Sequence, residues 1–259
     1  MANEKTIAAL AATEAERMLL VRVCDRLERA ERRGQPASTF FLTPRERELV
    51  GQILPQAGFF GGTEGAERTV AYYLPDYLTP EDYFEDGPVA CLRASFYEEN
   101  ALSHRDILGA LMGAGLRRDA IGDIYVRERQ CDFFILTELV QYLLDNLTSA
   151  GRAALRVKRI TLSEVQRPEQ RLRELRVTVS SLRLDGVLSA VFHLSRADAA
   201  QAVNAGRVML NDICCLKPDR QLAQEDVIAL RGKGKMKVLS LGGVQASQRK
   251  QRSLHLQRQ

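Results

Sequence analysis

The chain has 259 residues, of which 45% are hydrophobic and 27% are charged, a composition that excludes wholesale disorder and predicts two or three folded units. The net charge of +4 is unevenly distributed: residues 171–259 hold 16 Lys and Arg and 7 Asp and Glu, a net charge of +9, which leaves −5 for residues 1–170. A cationic segment of this kind is typical of a protein that binds nucleic acid, although it also occurs as an ordinary solvated surface.

The first 80 residues are predicted to form an α+β region. Apolar residues at helical spacing predict one long amphipathic helix over residues 4–33. Thr43 followed by Pro44 is typical of a helix start, and this second helix should end before Pro55. A glycine-rich turn at residues 59–65 then leads into a strand at 68–74.

Residues 81–167 are predicted to form a middle domain with the element order β-α-β-β-α-β. The strands are placed at 89–96, 121–126, 132–136 and 154–162, with helices at 103–114 and 137–147. This is the order of a ferredoxin-like domain, which RNA-recognition modules share with many proteins of other function. The third strand lacks the glycines of an RNA-binding signature, so Phe133 and Phe134 are interpreted as core residues, with base stacking as the alternative.

Residues 171–242 are predicted to form a basic domain of two short helices and a small sheet. After a strand at 172–179, Asp185 is expected to cap the first helix and Ser195 the second, which Gly206 should end in a left-handed conformation. Asn211 and Asp212 are predicted to form a hairpin turn. Residues 243–259 lack periodicity and are predicted to be a flexible basic tail.

This layout resembles the S4 RNA-binding domain, apart from Asp212, where glycine is usual, and Cys214 and Cys215, where members of that family vary. The resemblance implies that six residues lie on or near an RNA surface: Arg183, Ser195, Arg196, Arg207, Asn211 and Lys217. Three further cations alternate with glycines in the next turn: Arg231, Lys233 and Lys235. We expect these three to contact phosphates, the alternative being a solvated turn between two strands.

A wider resemblance covers about 200 residues. Residues 59–68, 104–113 and 121–124, followed by the S4-like segment, resemble the YlmH family of bacterial proteins. That resemblance implies a ribosome-associated role, with members linked to large-subunit quality control near the P-site tRNA and to cell division. His104 and Arg105 fall in the shared segment and are predicted as additional RNA contacts.

Several motifs that could indicate catalysis have structural explanations. Residues 183–186 are similar to the catalytic aspartate motif of pseudouridine synthases, but the 74 residues after Asp185 are too few for that domain. Ser103, His104 and Asp106 are too close in sequence for a relayed triad, so Ser103 and Asp106 are interpreted as a capping box. The glycines at 109, 113 and 115 are expected to serve helix packing and a helix end. The glycines at 61–65 predict a tight turn, with phosphate binding as the alternative.

The five cysteines are odd in number and form no C-x-x-C pair, so we predict neither a disulfide framework nor a metal site, and no cofactor. The chain lacks the apolar run of a signal peptide or a membrane span, which predicts a cytoplasmic protein. The leading hypothesis is a non-enzymatic, monomeric RNA-binding protein that docks on structured rRNA or tRNA of the large ribosomal subunit. The alternatives are an RNA-modifying enzyme that uses the middle domain and a cytosolic scaffold for division proteins that docks through residues 4–33.

Overall fold

The computed structural model describes residues 4–85, 87–97, 102–168, 173–245 and 251–258. The chain divides into two units, Met1–Pro168 and Glu169–Gln259, and each has its own buried apolar clusters. The fold class is α+β, as predicted. Among the described residues, the longest helix has 20 residues, and none of the helices is apolar enough to cross a membrane.

The first unit begins with three helices and a three-stranded antiparallel sheet of order β1-β3-β2. The helices are α1 (Glu4–Leu10), α2 (Glu14–Arg33) and α3 (Pro44–Ile53), and the strands are β1 (Ala37–Leu42), β2 (Gly58–Phe60) and β3 (Thr69–Tyr73). The Thr43 cap is found as predicted: its hydroxyl accepts the Glu46 amide at 3.3 Å, in a complete capping box. Leu20 and Leu27 of α2 are buried in one cluster with Leu42 of β1 and Val50 of α3.

The prediction of one helix over residues 4–33 is wrong, because the chain breaks at Thr13. The Thr13 backbone is extended, with φ −137° and ψ 157°, and its hydroxyl accepts the Glu16 amide at 3.1 Å. The Glu16 carboxylate in turn accepts the Ala12 amide at 2.7 Å. These bonds satisfy amides at the start of α2 and offset the loss of continuous helix.

The middle of the first unit has the predicted β-α-β-β-α-β order, preceded by the short helix α4 (Pro80–Glu85). Its elements are β4 (Val89–Ser95), α5 (His104–Gly113), β5 (Ile121–Val126), β6 (Gln130–Leu136), α6 (Val140–Asn146), the small hairpin β7 (Ser149–Ala150) and β8 (Ala153–Ala154), and β9 (Arg156–Ile160). The main sheet has the order β5-β6-β4-β9, and each neighbouring pair is antiparallel. This is the strand order of a ferredoxin-like sheet.

Both faces of this sheet are covered over at least part of their area. One face packs on α5 and α6, where Leu92, Phe133 and Leu143 are fully buried. On the other face, Phe134 and Tyr125 share a cluster with Phe41 of β1 and with Val70. The segments predicted as two N-terminal domains therefore share a hydrophobic cluster inside one unit.

Residues 61–68 form a tight turn that lies on the second face. A Cβ atom on Gly62 would stand 2.3 Å from the Phe134 ring, and the φ of Gly62 is +90°. The Asp123 carboxylate fixes the end of the turn by accepting the amides of Glu67 and Arg68 at 2.8 and 3.0 Å. The tight-turn interpretation is therefore confirmed, and it explains why glycine is needed here.

The described residues of the second unit form two helices, α7 (Leu184–Phe192) and α8 (Arg196–Asn204), and a six-stranded sheet of order β10-β15-β14-β13-β11-β12. The strands are β10 (Arg173–Val179), β11 (Val208–Leu210), β12 (Ile213–Cys214), β13 (Val227–Leu230), β14 (Gly234–Gln245) and β15 (Gln251–Arg258). The apolar sides of both helices are buried against residues of β11, β13 and β14, with Leu188, Val203, Val208, Ile228 and Met236 among the most buried.

The flexible tail predicted for residues 243–259 is not found in the part that the structure describes. β14 extends to Gln245, and Gln251–Arg258 form β15, which pairs with β14 and with β10. The sequence Ser253-Leu254-His255-Leu256 alternates polar and apolar residues, the pattern of a strand. Its partner strand β10 lies about 80 residues earlier in the sequence, so the residues near β15 do not indicate which strand it pairs with.

Candidate nucleic-acid interface

The start of α7 carries a first group of cations. The Arg183 guanidinium donates from Nε and Nη2 to the two oxygens of Asp185, at 3.1 and 3.0 Å. The Asp185 carboxylate also accepts the Gly186 amide at 2.7 Å. Burial opposes ionisation of Asp185, but the bonds from Arg183 and Gly186 outweigh it and hold the pKa of Asp185 below its usual value. The Arg183 side chain is 42% exposed, and part of its charge is already neutralised.

The expectation that Asp185 caps this helix is wrong, because Arg183 occupies the cap position and Asp185 lies inside the first turn. The helix amides are satisfied by a neighbouring loop instead: Leu184 donates to the Arg220 carbonyl at 2.8 Å and Asp185 to the Pro218 carbonyl at 2.9 Å. The loop therefore brings the exposed Lys217 and Arg220 to the start of α7. Arg220 was missed from the sequence, since it belongs to no motif there.

Ser195 and Arg196 begin α8. The Ser195 hydroxyl accepts the Asp198 amide at 3.0 Å, as predicted for a cap, and donates to the Asp198 carboxylate at 2.7 Å. Its hydrogen is therefore used within the helix turn. Arg196 is exposed and reaches back to α7, where its Nη2 is 3.0 Å from the place that a Cβ on Gly186 would take. Arg196 therefore belongs to the first group.

A second group of cations lies where β11, β13 and β14 meet. The Arg231 amide donates to the Arg207 carbonyl at 2.9 Å, so these two exposed residues are neighbours. Lys235 pairs with Ala229, two residues before Arg231, and therefore points to the same side of the sheet. Lys233 is exposed in the turn between β13 and β14. This side is opposite to the buried Val208 and Leu230.

Asn211 has an internal role. Asn211 and Asp212 both have positive φ, 52° and 61°, and form the predicted turn between β11 and β12. The Asn211 amide group donates to the Asp226 carboxylate at 2.9 Å, and its oxygen accepts the Val227 amide at 2.8 Å. Both ends of this side chain therefore hold the hairpin against β13.

The predicted contacts of the second unit thus form two groups. Arg196 is the first residue of α8, whereas Arg207 follows its end, and nine helical residues span about 13 Å. The left-handed Gly206, with φ 67°, turns the chain between α8 and Arg207, as predicted. A phosphate backbone that contacts both groups has to run along this length.

In the first unit, His104 and Arg105 are exposed in the first turn of α5. The predicted capping box is confirmed: the Ser103 hydroxyl accepts the Asp106 amide at 3.4 Å and donates to the Asp106 carboxylate at 2.6 Å. Partial burial and the Arg118 guanidinium lower the pKa of His104, which favours the neutral imidazole at pH 7. Neutral His104 would offer RNA a hydrogen bond but no charge.

The structure decides two expectations about the middle domain, the role of its two phenylalanines and the role of its helix glycines. Phe133 and Phe134 are both 0% exposed, so they are core residues and cannot stack on bases. Gly109 and Gly113 do not serve close helix packing, because in the described part of the chain no heavy atom outside the helix lies within 4 Å of a Cβ placed on either of them. Gly115 has φ +89° and follows the helix end, as predicted. Among the described residues, no cluster of His, Cys, Asp and Glu has the arrangement of a metal site.

Comparisons with known proteins assign the chain to a family. Residues 96–164 match the family model "Putative RNA-binding domain in YlmH". Over 210 residues the chain is 32% identical to "Ribosome-associated protein quality control protein P2" of Bacillus subtilis (strain 168). This alignment covers 79% of this chain and 81% of that protein. The chain belongs to the YlmH family.

A solved structure agrees with the fold of this YlmH-family member. "Cell division protein ylmH from Streptococcus pneumoniae" superposes with a TM-score of 0.51 at 19% identity, covering 60% of this chain and 96% of that chain. The match supports the mixed α+β architecture. The segment that matches the RNA-binding family model includes α5, β5, β6, α6 and β9, in the first unit rather than in the more cationic second unit.

Proposed function

We propose that this protein is a non-enzymatic RNA-binding protein of the cytoplasm that acts as a monomer. Its second unit, as an S4 domain, docks on structured rRNA or tRNA of the large ribosomal subunit. One observation carries the proposal: Arg196, Arg207, Lys217, Arg231 and Lys233 are all exposed, within residues 171–259, which have a net charge of +9. Arginine forks and lysines at helix starts and turns are the groups that bind phosphates in nucleic acids.

The relatives support the choice of RNA. The Bacillus subtilis protein is named for ribosome-associated protein quality control, and we extend that role, with contact near the P-site tRNA, to this chain. The proposal does not depend on the division role for which the Streptococcus pneumoniae protein is named. Recognition should depend on backbone shape, because the deep groove of duplex RNA hides its base edges.

The two groups of cations can be tested separately with two double variants of the full chain, Arg196→Ala/Lys217→Ala and Arg207→Ala/Lys233→Ala. Affinity for large-subunit rRNA fragments and for tRNA is measured across a range of salt concentrations. Each variant should bind more weakly than the natural chain, and the slope of log K against log salt should flatten by about 2, roughly one for each phosphate contact.

The matched control is Arg29→Ala/Arg32→Ala, which removes two exposed arginines of α2 in the first unit. This variant loses the same charge and should keep both affinity and slope. If both test variants behave like the control, the second unit is not the RNA interface. If only one does, the interface is confined to the other group.

A further inference from the structure

The second face of the β5-β6-β4-β9 sheet has a covered half and a cationic half. In the covered half, Cys91, Phe134 and Ile160 stand side by side in register, and the turn at Gly62 lies on the Phe134 ring. Side chains two residues further along each strand point to the same face. The next row is Arg93, Asp132 and Lys158, and the row after it is Ser95, Gln130 and Arg156.

Arg93 and Arg127 are fixed beneath this cationic half. The Asp132 carboxylate, which is fully buried, accepts bonds from Arg93 at 2.6 and 2.8 Å and from Arg127 at 2.5 Å. Two guanidinium groups on one carboxylate leave a net positive charge. Arg93 also donates to the Glu164 carbonyl at 3.0 Å and Arg127 to the Gln166 side chain at 2.5 Å, so the segment after β9 anchors both.

Lys158 and Arg156 of β9 are exposed beside these fixed arginines, and Arg129 is exposed in the turn between β5 and β6. Among the residues that the structure describes, the acids around this end of the sheet are Asp132, already bonded to two arginines, Glu128 in the same turn, and Glu164. The Glu164 carboxylate accepts the amide and hydroxyl of Thr161, at 2.9 and 3.0 Å. Among these described residues, five cations thus face three acids, of which one is buried; Glu98 and Glu99, which follow Tyr97 in the sequence, lie outside the described residues.

Tyr97 adds an aromatic surface to this end. The Phe96 amide donates to the Arg129 carbonyl at 3.0 Å, so the chain leaves β4 beside the Arg129 turn. Tyr97 follows and is 72% exposed. An exposed tyrosine beside exposed cations is the combination that holds single-stranded RNA, in which the ring stacks on a base while cations contact the phosphates.

We propose that Tyr97, Arg156 and Lys158 form a second RNA-binding surface, which takes a single-stranded segment with one base stacked on Tyr97. It deepens the proposed function and rests on it, since RNA is the partner in both. On this face the central aromatic residue, Phe134, is buried, so base stacking moves to the exposed end of the face. Charges on the edge strand β9 also protect against edge pairing, but that protection gives no reason for an exposed tyrosine.

The test measures binding of a 12-nucleotide oligouridylate to the full chain by fluorescence anisotropy. Loss of one stacked base should weaken binding by about 5- to 150-fold in Tyr97→Ala. Arg156→Ala/Lys158→Ala should weaken binding and flatten the salt slope by about 1.4, or roughly 0.7 for each phosphate on a single strand. The matched controls are Tyr77→Ala, a tyrosine that is 73% exposed, and Arg29→Ala/Arg32→Ala.

Equal affinities of Tyr97→Ala and Tyr77→Ala would overturn the proposal. In that case the variants of the second unit separate the two ideas: if Arg207→Ala/Lys233→Ala still weakens rRNA binding, the proposed function stands without this surface. Ultraviolet crosslinking of the oligouridylate, followed by peptide mass spectrometry, gives a second readout. A crosslink at Tyr97 supports the surface, and crosslinks confined to residues 173–258 contradict it.

Discussion

Replacing Asp132 with alanine should destabilise the first unit strongly. The carboxylate is fully buried, and its partners Arg93 and Arg127 have side chains that are only 14% and 18% exposed. Removal of one partner from a buried ion pair costs about 3–5 kcal/mol, because the remaining charge has little solvent. Arg93 keeps its bond to the Glu164 carbonyl and Arg127 its bond to Gln166, so we expect the lower end, about 3 kcal/mol. Domain stabilities of about 5–15 kcal/mol would still leave the variant folded at 25 °C.

The stability of the first unit can be measured by tyrosine fluorescence during urea unfolding. The chain has no tryptophan, and its seven tyrosines all lie between residues 72 and 142, so tyrosine fluorescence in urea reports on the first unit alone. Asp119→Ala is the matched control, because Asp119 pairs with Arg117, whose side chain is 71% exposed, and such a surface pair contributes less than about 1 kcal/mol. Asp132→Asn keeps the shape and should fall between the two. If Asp132→Ala unfolds at the same urea concentration as Asp119→Ala, the argument from burial is wrong.

Two further predictions concern the stability of glycine variants and the alkylation of the cysteine thiols. Gly62→Ala should cost at least about 2 kcal/mol, because the new Cβ would overlap the Phe134 ring at a positive φ, whereas Gly109→Ala should stabilise the first unit by about 0.5–1 kcal/mol, since α5 has open space there. Equal urea midpoints for the two variants would refute this reading. Burial raises the pKa of Cys24 to about 11, that of Cys91 to about 12, and that of Cys131 as well. Iodoacetamide at pH 8 should therefore label Cys214 and Cys215 in the native chain and all five thiols in urea, as read by peptide mass spectrometry; native labelling of Cys131 would contradict the fold.

The features predicted correctly from the sequence are those set by near neighbours in the chain. Ser195 and Gly206 mark the two ends of α8 because capping depends on residues within one turn. The strand at Ile121–Val126 was predicted with its observed bounds, since four of its six residues are Ile, Tyr or Val, which favour strands. The break at Thr13 is also local. It was missed because the prediction joined the apolar residues on both sides, including Met18, into one helical pattern, whereas Met18 is 60% exposed in the structure.

Features set by distant residues were not predictable. Gly62 is fixed by the ring of Phe134, 72 residues away in sequence, and β10 pairs with β15 across most of the second unit. The same holds for the interface. Sequence reasoning identified exposed cations, but the bonds of Asn211 to Asp226 and Val227 depend on how the strands meet. The ion pair of Arg183 with Asp185 is local and was missed because Asp185 was interpreted as a helix cap.

The covered face of the β5-β6-β4-β9 sheet limits how the first unit can bind RNA. An RNA-recognition sheet that kept its open face could bind RNA through aromatic residues in its centre. Here Phe134 packs under Gly62 and beside Phe41, so one hydrophobic cluster takes the place of that face. In our proposal the RNA contacts of the first unit then lie at the end of the sheet, where Tyr97 and a few cations would give limited affinity. Binding of the more cationic second unit to the same RNA would raise the local concentration of this weaker surface, so its effect should be largest on RNA long enough to reach both.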